Sequence, residues 1–445
     1  MTASFTHLIL RACALLLIGV QATAEENFFQ TIETGESASS TRARQPWDAK
    51  AYLQQTVKYG WQSPPTAEGF ERNHPGFSQV KTTLFGEGQG DLSDDMSWQL
   101  SARAESEWYF WEGDDARWKS HNSTLHLRDA FVDFAREGFW LRGGQQILAW
   151  GQSEGLVITD VLSPQDLREP GQAELQDIRE PVPALLGSLA LDAATKLSLV
   201  ATYSAGSNRY ADAQEPFDFF ARYRGADLTL VEQDPTSEWE YALKLDRTFN
   251  GGDLTLMAAR VNDNSLTLAG LDIPAGVLVL AQQRQTVIGG TLGWVRGNWL
   301  LKTEVAHWQD VPLATADYSP WPLHDQSRAM SGLEYSGWND LLLGLEIHMV
   351  HTESHIARLA VDAKDVGFTA HLRHSAFNER VIQQVRILKL ANEEAYMGRW
   401  ELSVDWSDEW TFTCGLIAYR VPKEVSLFYP LRNHDSFNLT AKYSF

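Results

Sequence analysis

The sequence predicts an all-β fold: a transmembrane antiparallel up-and-down β-barrel of about 18 strands, with about 16 the nearest alternative. Three observations predict it. From about residue 50 onward the chain divides into segments of roughly ten residues in which apolar and polar side chains alternate. The links between these segments tend to alternate between short and long. The chain also closes on such a segment, flush with a terminal aromatic. Phe437, Leu439, Ala441, Tyr443 and Phe445 alternate there with Ser436, Asn438, Thr440, Lys442 and Ser444.

The amino-terminal part carries marks of export. Leu8 to Val20 is mostly apolar, is interrupted by Arg11, and is too short to span a bilayer. Ala22-Thr23-Ala24 offers a small-x-small cleavage site before Glu25, so residues 1–24 are read as a signal peptide. Leu10-Arg11-Ala12-Cys13 loosely matches a lipoprotein box, but Arg11 and the apolar run after Cys13 argue against lipidation. Residues 25–49 are polar, with Ser37, Ser39 and Ser40, and read as a flexible periplasmic tail without a core. Residues 50–445 form the barrel. Cleavage leaves Cys414 as the sole cysteine, which excludes an internal disulfide.

Five segments show the strand rule well. Trp98, Leu100, Ala102, Ala104 and Trp108 alternate with Gln99, Ser101, Arg103, Glu105 and Glu107. Trp239, Tyr241, Leu243 and Leu245 alternate with Glu238, Glu240, Lys244 and Asp246. Leu341, Leu343, Leu345, Ile347 and Met349 oppose Asp340, Glu346 and His348. Val366, Phe368, Ala370 and Leu372 oppose Thr369, His371 and Arg373. Trp400, Leu402, Val404 and Trp406 oppose Arg399, Glu401, Ser403 and Asp405. In a soluble β-protein the apolar face would be the core. Aromatics near strand ends and mixed charge on the polar faces favour the inverted arrangement, apolar outward and wet inward. Between Leu125 and Arg136 the apolar set switches face, which suggests a bulge.

Short links are expected near 91–95, 137–138, 193–195, 249–252, 297, 338–339, 377–379 and 408–409. Asn250-Gly251-Gly252 and Arg296-Gly297-Asn298 carry turn chemistry. Long links fall at 63–78, 112–122, 151–183, 207–236, 264–285, 310–326, 352–365 and 422–434, with a short exception at 392–395. The net charge of −21 excludes a nucleic-acid partner, which requires a basic footprint. It suits acidic external loops among divalent cations and lipopolysaccharide, and equally suits plain solubility.

The closing strand resembles the terminal signature of bacterial outer-membrane barrels, whose insertion machinery recognises a final Phe with alternating apolar partners. The resemblance implies outer-membrane localisation, lipid and lipopolysaccharide as surroundings, and both termini in the periplasm. A second stretch adds to it. Gly144, Gln146, Trp150 and Gly151, then Asp160, Pro164, Asp166 and Arg168, then Arg179 and Pro181 fit the pattern G-x-Q-x-x-x-W-G … D-x-x-x-P-x-D-x-R … R-x-P. This looks like a pattern in proteobacterial porin-like barrels grouped loosely with alginate-export-type channels. Those channels have a strongly basic lumen. Here Arg103, Lys244, Arg373 and Arg399 stand against Glu105, Glu107, Glu240, Glu346, Glu401 and Asp405, which weighs against a polyuronate cargo.

The link 151–183 is too long for a hairpin, and its apolar residues Leu156, Val157, Ile158, Val161 and Leu162 need a wall to pack on. It is expected to fold into the barrel as a constriction. Asp160, Asp166, Arg168, Arg179 and Glu180 would then meet lumen charges, joined by Arg142 on the preceding strand. Asp166 and Arg168 could equally pair with each other to stiffen the loop, and an exposed lid is a third reading. Gly143-Gly144 permits a bulge or a close backbone approach.

Other chemistry is thin. His371 and His374 fall on opposite strand faces, as do His348 and His351, so neither pair converges on a metal. Asn433-His434-Asp435 lies at the expected outer rim without a nucleophile or paired carboxylates, and reads as a turn. Gly86-Glu87-Gly88-Gln89-Gly90 lacks the helix and lysine of a phosphate loop. The expectation is a channel or porin-like transporter for a small or polymeric hydrophilic solute, without cofactor, metal or catalysis. The alternatives are a binding or assembly partner of an inner-membrane or periplasmic export system, and a barrel hydrolase.

Overall fold

The computed structural model describes residues 47–61, 76–110, 118–172, 175–203, 206–212, 215, 217–220, 228–233, 238–272, 274–315, 319, 321–391, 394–423, 426 and 428–445. The expected signal peptide and nearly all of the expected tail lie outside them. The strands are β1 Asp48–Gly60, β2 Gly76–Asp91, β3 Met96–Phe110, β4 Trp118–Arg136, β5 Phe139–Gln146, β6 Val182–Asp192 and β7 Thr195–Tyr203. Next come β8 Thr229–Glu232, β9 Trp239–Phe249, β10 Gly252–Asn262, β11 Thr267–Asp272, β12 Val277–Ala281, β13 Arg284–Arg296 and β14 Trp299–Pro312. The last are β15 Leu323–Trp338, β16 Leu341–Thr352, β17 Lys364–Ala376, β18 Val381–Lys389, β19 Tyr396–Asp405, β20 Trp410–Arg420 and β21 Ser436–Ser444.

Eighteen of these form one closed antiparallel sheet. Each barrel strand pairs with its chain neighbour, β7 pairs with β9, and β10 pairs with β13. The circle closes where β21 runs beside β1, from Tyr52 opposite Ser444 to Gly60 opposite Ser436. The Phe445 amide continues that seam by donating to the Ala51 carbonyl at 2.8 Å. Closure leaves no unpaired edge, the condition a spanning sheet must meet. Outside the barrel, β12 pairs antiparallel with β11 and parallel with β8. This small sheet sits in the long links on either side of the β9–β10 hairpin.

The alternation works as the sequence implies. Ile288 and Ile347 are 58% and 52% exposed on the outer face, whereas Glu304 and Glu346 are 0% exposed on the inner one. Aromatics collect at both ends of the strands. Trp299, Tyr335 and Trp338 cluster at the short-turn end, tilted and edge-to-face, with ring centroids 4.4 and 5.1 Å apart. Tyr443 lies 5.0 Å from Trp410 and 4.9 Å from Phe445 at the same end. Tyr59 with Phe77, and Tyr203 with Trp239, mark the long-loop end. The face switch in β4 occurs at Arg128. Ser101 pairs with Asp129 and Ala102 with Leu127, so Arg128 has no opposite residue. Leu125 and Leu127 point outward before this bulge, and Val132 after it.

Of the two readings of Gly143-Gly144, the structure has the close backbone approach and not the bulge: no register shift occurs there, and Gly144 takes φ +136°, where a Cβ would lie 2.2 Å from the Ala130 carbonyl. The interior differs from expectation in not being uniformly polar. Val200, Ala242, Met257, Val261, Val287, Ala306, Trp308 and Met330 face inward and are buried. They are dry because the β5–β6 link covers them: Leu148, Ile158, Val161 and Leu162 pack against them, with Leu156 and Val157 alongside.

Candidate functional site

The β5–β6 link turns over a single carboxylate. Glu304 on β14 accepts the Gln152, Ser153 and Thr159 amides at 2.7, 3.1 and 2.7 Å, and the Thr159 hydroxyl at 2.7 Å. The chain can double back this tightly because residue 151 is glycine; a Cβ there would come 2.8 Å from that of Asp160. Trp308, four residues further along β14 on the same inner face, donates its indole N–H to the Ile158 carbonyl at 3.0 Å. Arg328 donates to the Val157 carbonyl at 3.0 Å.

The tip of this turn reaches β16, β17 and β18. The Glu154 amide donates to Glu346 at 3.0 Å, and its carboxylate lies 3.2 Å from Arg386 and 3.8 Å from His371. Lys302 holds Glu346 at 2.8 Å and Glu334 at 2.5 Å. Gly155 rests on the wall so closely that a Cβ would meet Thr369 Oγ1 at 2.4 Å and His348 Cε1 at 2.5 Å. Gly155→Val is therefore expected to lift the tip off β16 and β17. Limited proteolysis of the detergent-solubilised protein checks this: new cleavage within residues 151–160 is expected, and a wild-type pattern would contradict the contact.

The far end of the link meets the opposite arc, β1 to β3. Arg168 bridges Asp166 at 2.7 Å with Glu105 and Glu107, both at 3.4 Å. Glu169 pairs with Lys58 and lies 3.9 Å from Lys81, which itself holds Glu107 at 2.7 Å and Glu105 at 3.2 Å. Arg103 lies 3.4 Å from Glu105. Arg209 joins from the β7–β9 link, 3.2 Å from Glu180 and 3.5 Å from Asp166. Asp166 and Arg168 thus pair locally and also engage the wall. Tyr419 donates to the Pro170 carbonyl at 2.7 Å. Gly171, at φ +74°, sits where a Cβ would overlap the Met397 sulfur. Within the link, Arg179 holds Asp160 at 2.7 Å.

These contacts shift the loop carboxyls in different directions. Burial alone would raise Glu169, but Lys58 and Lys81 outweigh it and pull the carboxyl down to about 2. Burial likewise opposes Asp166, and the Arg168 hydrogen bonds and charge hold it below its usual range. Burial wins at Asp160 and raises it, Arg179 compensating only in part. A depressed folded pKa adds stability that is complete above the unfolded value, near ~4 for a carboxyl, and is lost as pH falls through the folded value. Asp160 has the opposite sign, so its protonation favours the docked loop. Loop docking should hold from pH 7 to about 5 and weaken below about 4. Protease access to the link, read against pH, checks this, and release already above pH 5 would contradict it.

The remaining residues singled out from the sequence fall into separate places. Arg142 makes a paired contact with Asp133 at 2.8 and 2.9 Å, over the Phe131 ring. Glu240 accepts from Asn262 at 3.2 Å. Lys244 lies 3.4 Å from Asp246 and 5.2 Å from the Trp150 ring centroid. Arg373, Arg399 and Glu401 line a cleft of about 140 Å³ with Glu154, His371 and Arg386, and Arg399 pairs with Glu401. His434 packs 4.6 Å from the Phe217 ring, and Asp435 accepts the Tyr419 amide at 2.8 Å. Among the described residues, no group of three or more His, Cys, Asp or Glu side chains is placed to hold a metal ion. Sequence reasoning missed Glu304, Lys58, Lys81 and Arg386. A signal existed for Glu304, which shares one strand face with Lys302 and Trp308.

A family profile described as "Protein of unknown function (DUF1302)" matches residues 61–445. The chain belongs to the DUF1302 family. A search of curated proteins finds no match. This DUF1302 barrel is similar in fold to a BenF-like porin from Pseudomonas fluorescens Pf-5, with a TM-score of 0.54 at 9% identity over 90% of this chain and 99% of that one. It is similar to Acinetobacter baumannii OccAB2, with a TM-score of 0.51 at 9% identity over 89% and 98% of the two chains. OccAB3 of the same organism gives 0.50 at 8% identity over 89% and 99%. These likenesses extend to the fold. The charges and tethers of the DUF1302 chain are argued from its own residues.

Proposed function

We propose that this DUF1302 barrel is an outer-membrane channel of the porin kind. It passes a small hydrophilic solute through a lumen narrowed by the loop 151–183. The observation that carries the reading is the inside-out alternation around a closed sheet. An apolar band circling eighteen strands far exceeds the few hundred Å² a soluble monomer usually exposes. Hydrocarbon is the solvent in which such a band is favourable, and the aromatic girdles belong at its two interfaces. Similar folds among porins support the same reading. Export through a cleaved residue 1–24 leader, insertion through the C-terminal strand, and acidic loops facing lipopolysaccharide complete it. A folded-in loop favours a small solute over a polymer.

A second reading has one observation in its favour. The loop touches both β14–β18 and β1–β3 across the interior, so the barrel could be sealed and serve as an outer-membrane partner of an export system. Planar-bilayer recording with ion selectivity separates the two. The channel reading expects discrete conductance steps from the purified full chain. A barrel that inserts without conducting would overturn it in favour of the sealed partner. Among the described residues, no arrangement of side chains favours a hydrolase over either.

A further inference from the structure

The link between β7 and β9 reaches much further than its own root. It first runs beside β4, where Arg209 donates to His126 Nε2 at 3.0 Å and Asn122 donates to Glu215 at 3.2 Å. It then arrives at β19 and β20. Phe217 is 6% exposed and packs with Ala211 against Ile417, Tyr419 and Leu431. Its ring lies 6.2 Å from Tyr419 and 4.6 Å from His434. The strands from β9 to β19 number nine, and so do those from β7 back through β1 to β20. Phe217 therefore docks on the wall diametrically opposite the point where its link leaves the sheet. Phe219 and Phe220 then share a dry core with Leu268 and Leu280 of the small outer sheet. Ile417 and Tyr419 lie within three residues of the long-loop end of β20, whereas Glu304 lies eight residues from that end of β14. Backbone bonds at 2.9 and 2.8 Å join Arg209 to Gln165 and Leu167, so this link is tied to the far end of loop 151–183 and not to its tip.

We propose that the β7–β9 link is a second barrier across the lumen, nearer the outer mouth and in series with the loop tip held by Glu304, and that Phe217 is the residue that latches it. The inference rests on the channel reading. A phenyl ring buried at the far wall fixes a segment whose root is on the near wall. Removing such a ring from a packed core shifts a docked-to-released ratio by at least about a hundredfold. A solute meets the two barriers in turn. Resistances in series add, so freeing one barrier leaves the other in place. Freeing both must then raise conductance by more than the two separate gains together. Barriers on parallel routes behave differently, because parallel conductances add and so do their gains.

The test records the full purified chain in planar bilayers as wild type, Phe217→Ala, Glu304→Ala and the double variant. Each single variant is expected to raise unit conductance, and the gain of the double variant is expected to exceed the sum of the single gains. Phe217→Leu keeps part of the apolar bulk and is expected between wild type and Phe217→Ala; it also carries the test if the alanine variant loses the heat-modified mobility of a folded barrel. Limited proteolysis in detergent reads the latch without conduction: Phe217→Ala should open residues 206–212 while residues 151–160 stay protected. Gains that merely add, or Phe217 variants that conduct and resist protease as the wild type does, would overturn the second barrier and leave the channel standing. Absence of conductance from all of these proteins would overturn the channel reading and the barrier with it, whatever the protease pattern.

Discussion

Replacing Glu304 with alanine should release the tip of the β5–β6 link and raise single-channel conductance several-fold. Four donors from residues 152–159 converge on this one buried carboxylate. Hydrogen bonds to a charged group contribute about 1.5–3 kcal/mol each and are not additive. Losing even two of them, about 3 kcal/mol, would shift the docked-to-released ratio roughly a hundredfold. The alanine also leaves backbone amides buried without an acceptor, a further cost. Glu304→Gln keeps the shape but offers only one accepting oxygen, so an intermediate conductance is expected. Noise analysis in planar bilayers, with proteolysis of residues 151–160 as a second readout, checks both. Alanine and wild-type channels of equal conductance and protease resistance would show that Glu304 does not anchor the loop.

Removing the Arg168 guanidinium should destabilise the other end of the link. Arg168 is 7% exposed and touches three carboxylates, Asp166, Glu105 and Glu107. Breaking a buried ion pair by deleting one partner typically costs about 3–5 kcal/mol, because the remaining charge stays buried. Arg168→Met is expected in that range, and Arg168→Lys only slightly milder, since one ammonium cannot fork across three acceptors. Adding Asp166→Asn should recover part of the loss, giving a coupling energy that identifies the pair. The midpoint of heat-modified electrophoretic mobility ranks the five proteins: wild type, Arg168→Met, Arg168→Lys, Asp166→Asn and the Arg168→Met/Asp166→Asn double variant. An Arg168→Met midpoint equal to wild type would mean that the ion cluster contributes nothing to loop docking.

Much of the barrel was legible in the chain because the strand period is unambiguous where one face meets apolar surroundings. Leu243 beside Lys244, or Ile347 beside Glu346, leaves no choice of face. The turn Asn250-Gly251 fixes where β9 becomes β10, with Gly251 at φ +81°. The switch in β4 was visible as a break in alternation, although Arg128 as its pivot was not. The inner face was harder to read. Ala242, Met257 and Val287 look like strand noise until the link covers them, since their burial depends on residues about a hundred positions away in sequence. The ion cluster around Arg168 was half visible: Glu105, Glu107, Asp166 and Arg168 stood out by residue type. Lys58 and Lys81 did not, because only closure of β1 onto β2 and β21 brings them under the loop. Glu304 was hidden for a different reason. Its partners are backbone amides, which carry no side-chain signature.

The account stands on one claim, that the segment between β5 and β6 narrows a water-filled path through the barrel. Single-channel conductance of the wild type against a deletion of residues 155–178 tests it most directly. The deletion removes Ile158, Val161, Leu162, Arg168 and Glu169, and with them the packing on the inner wall and the contacts to β1–β3. A marked rise in unit conductance with altered ion selectivity is the result this account predicts. A deleted channel that inserts, folds and conducts as the wild type does would contradict it.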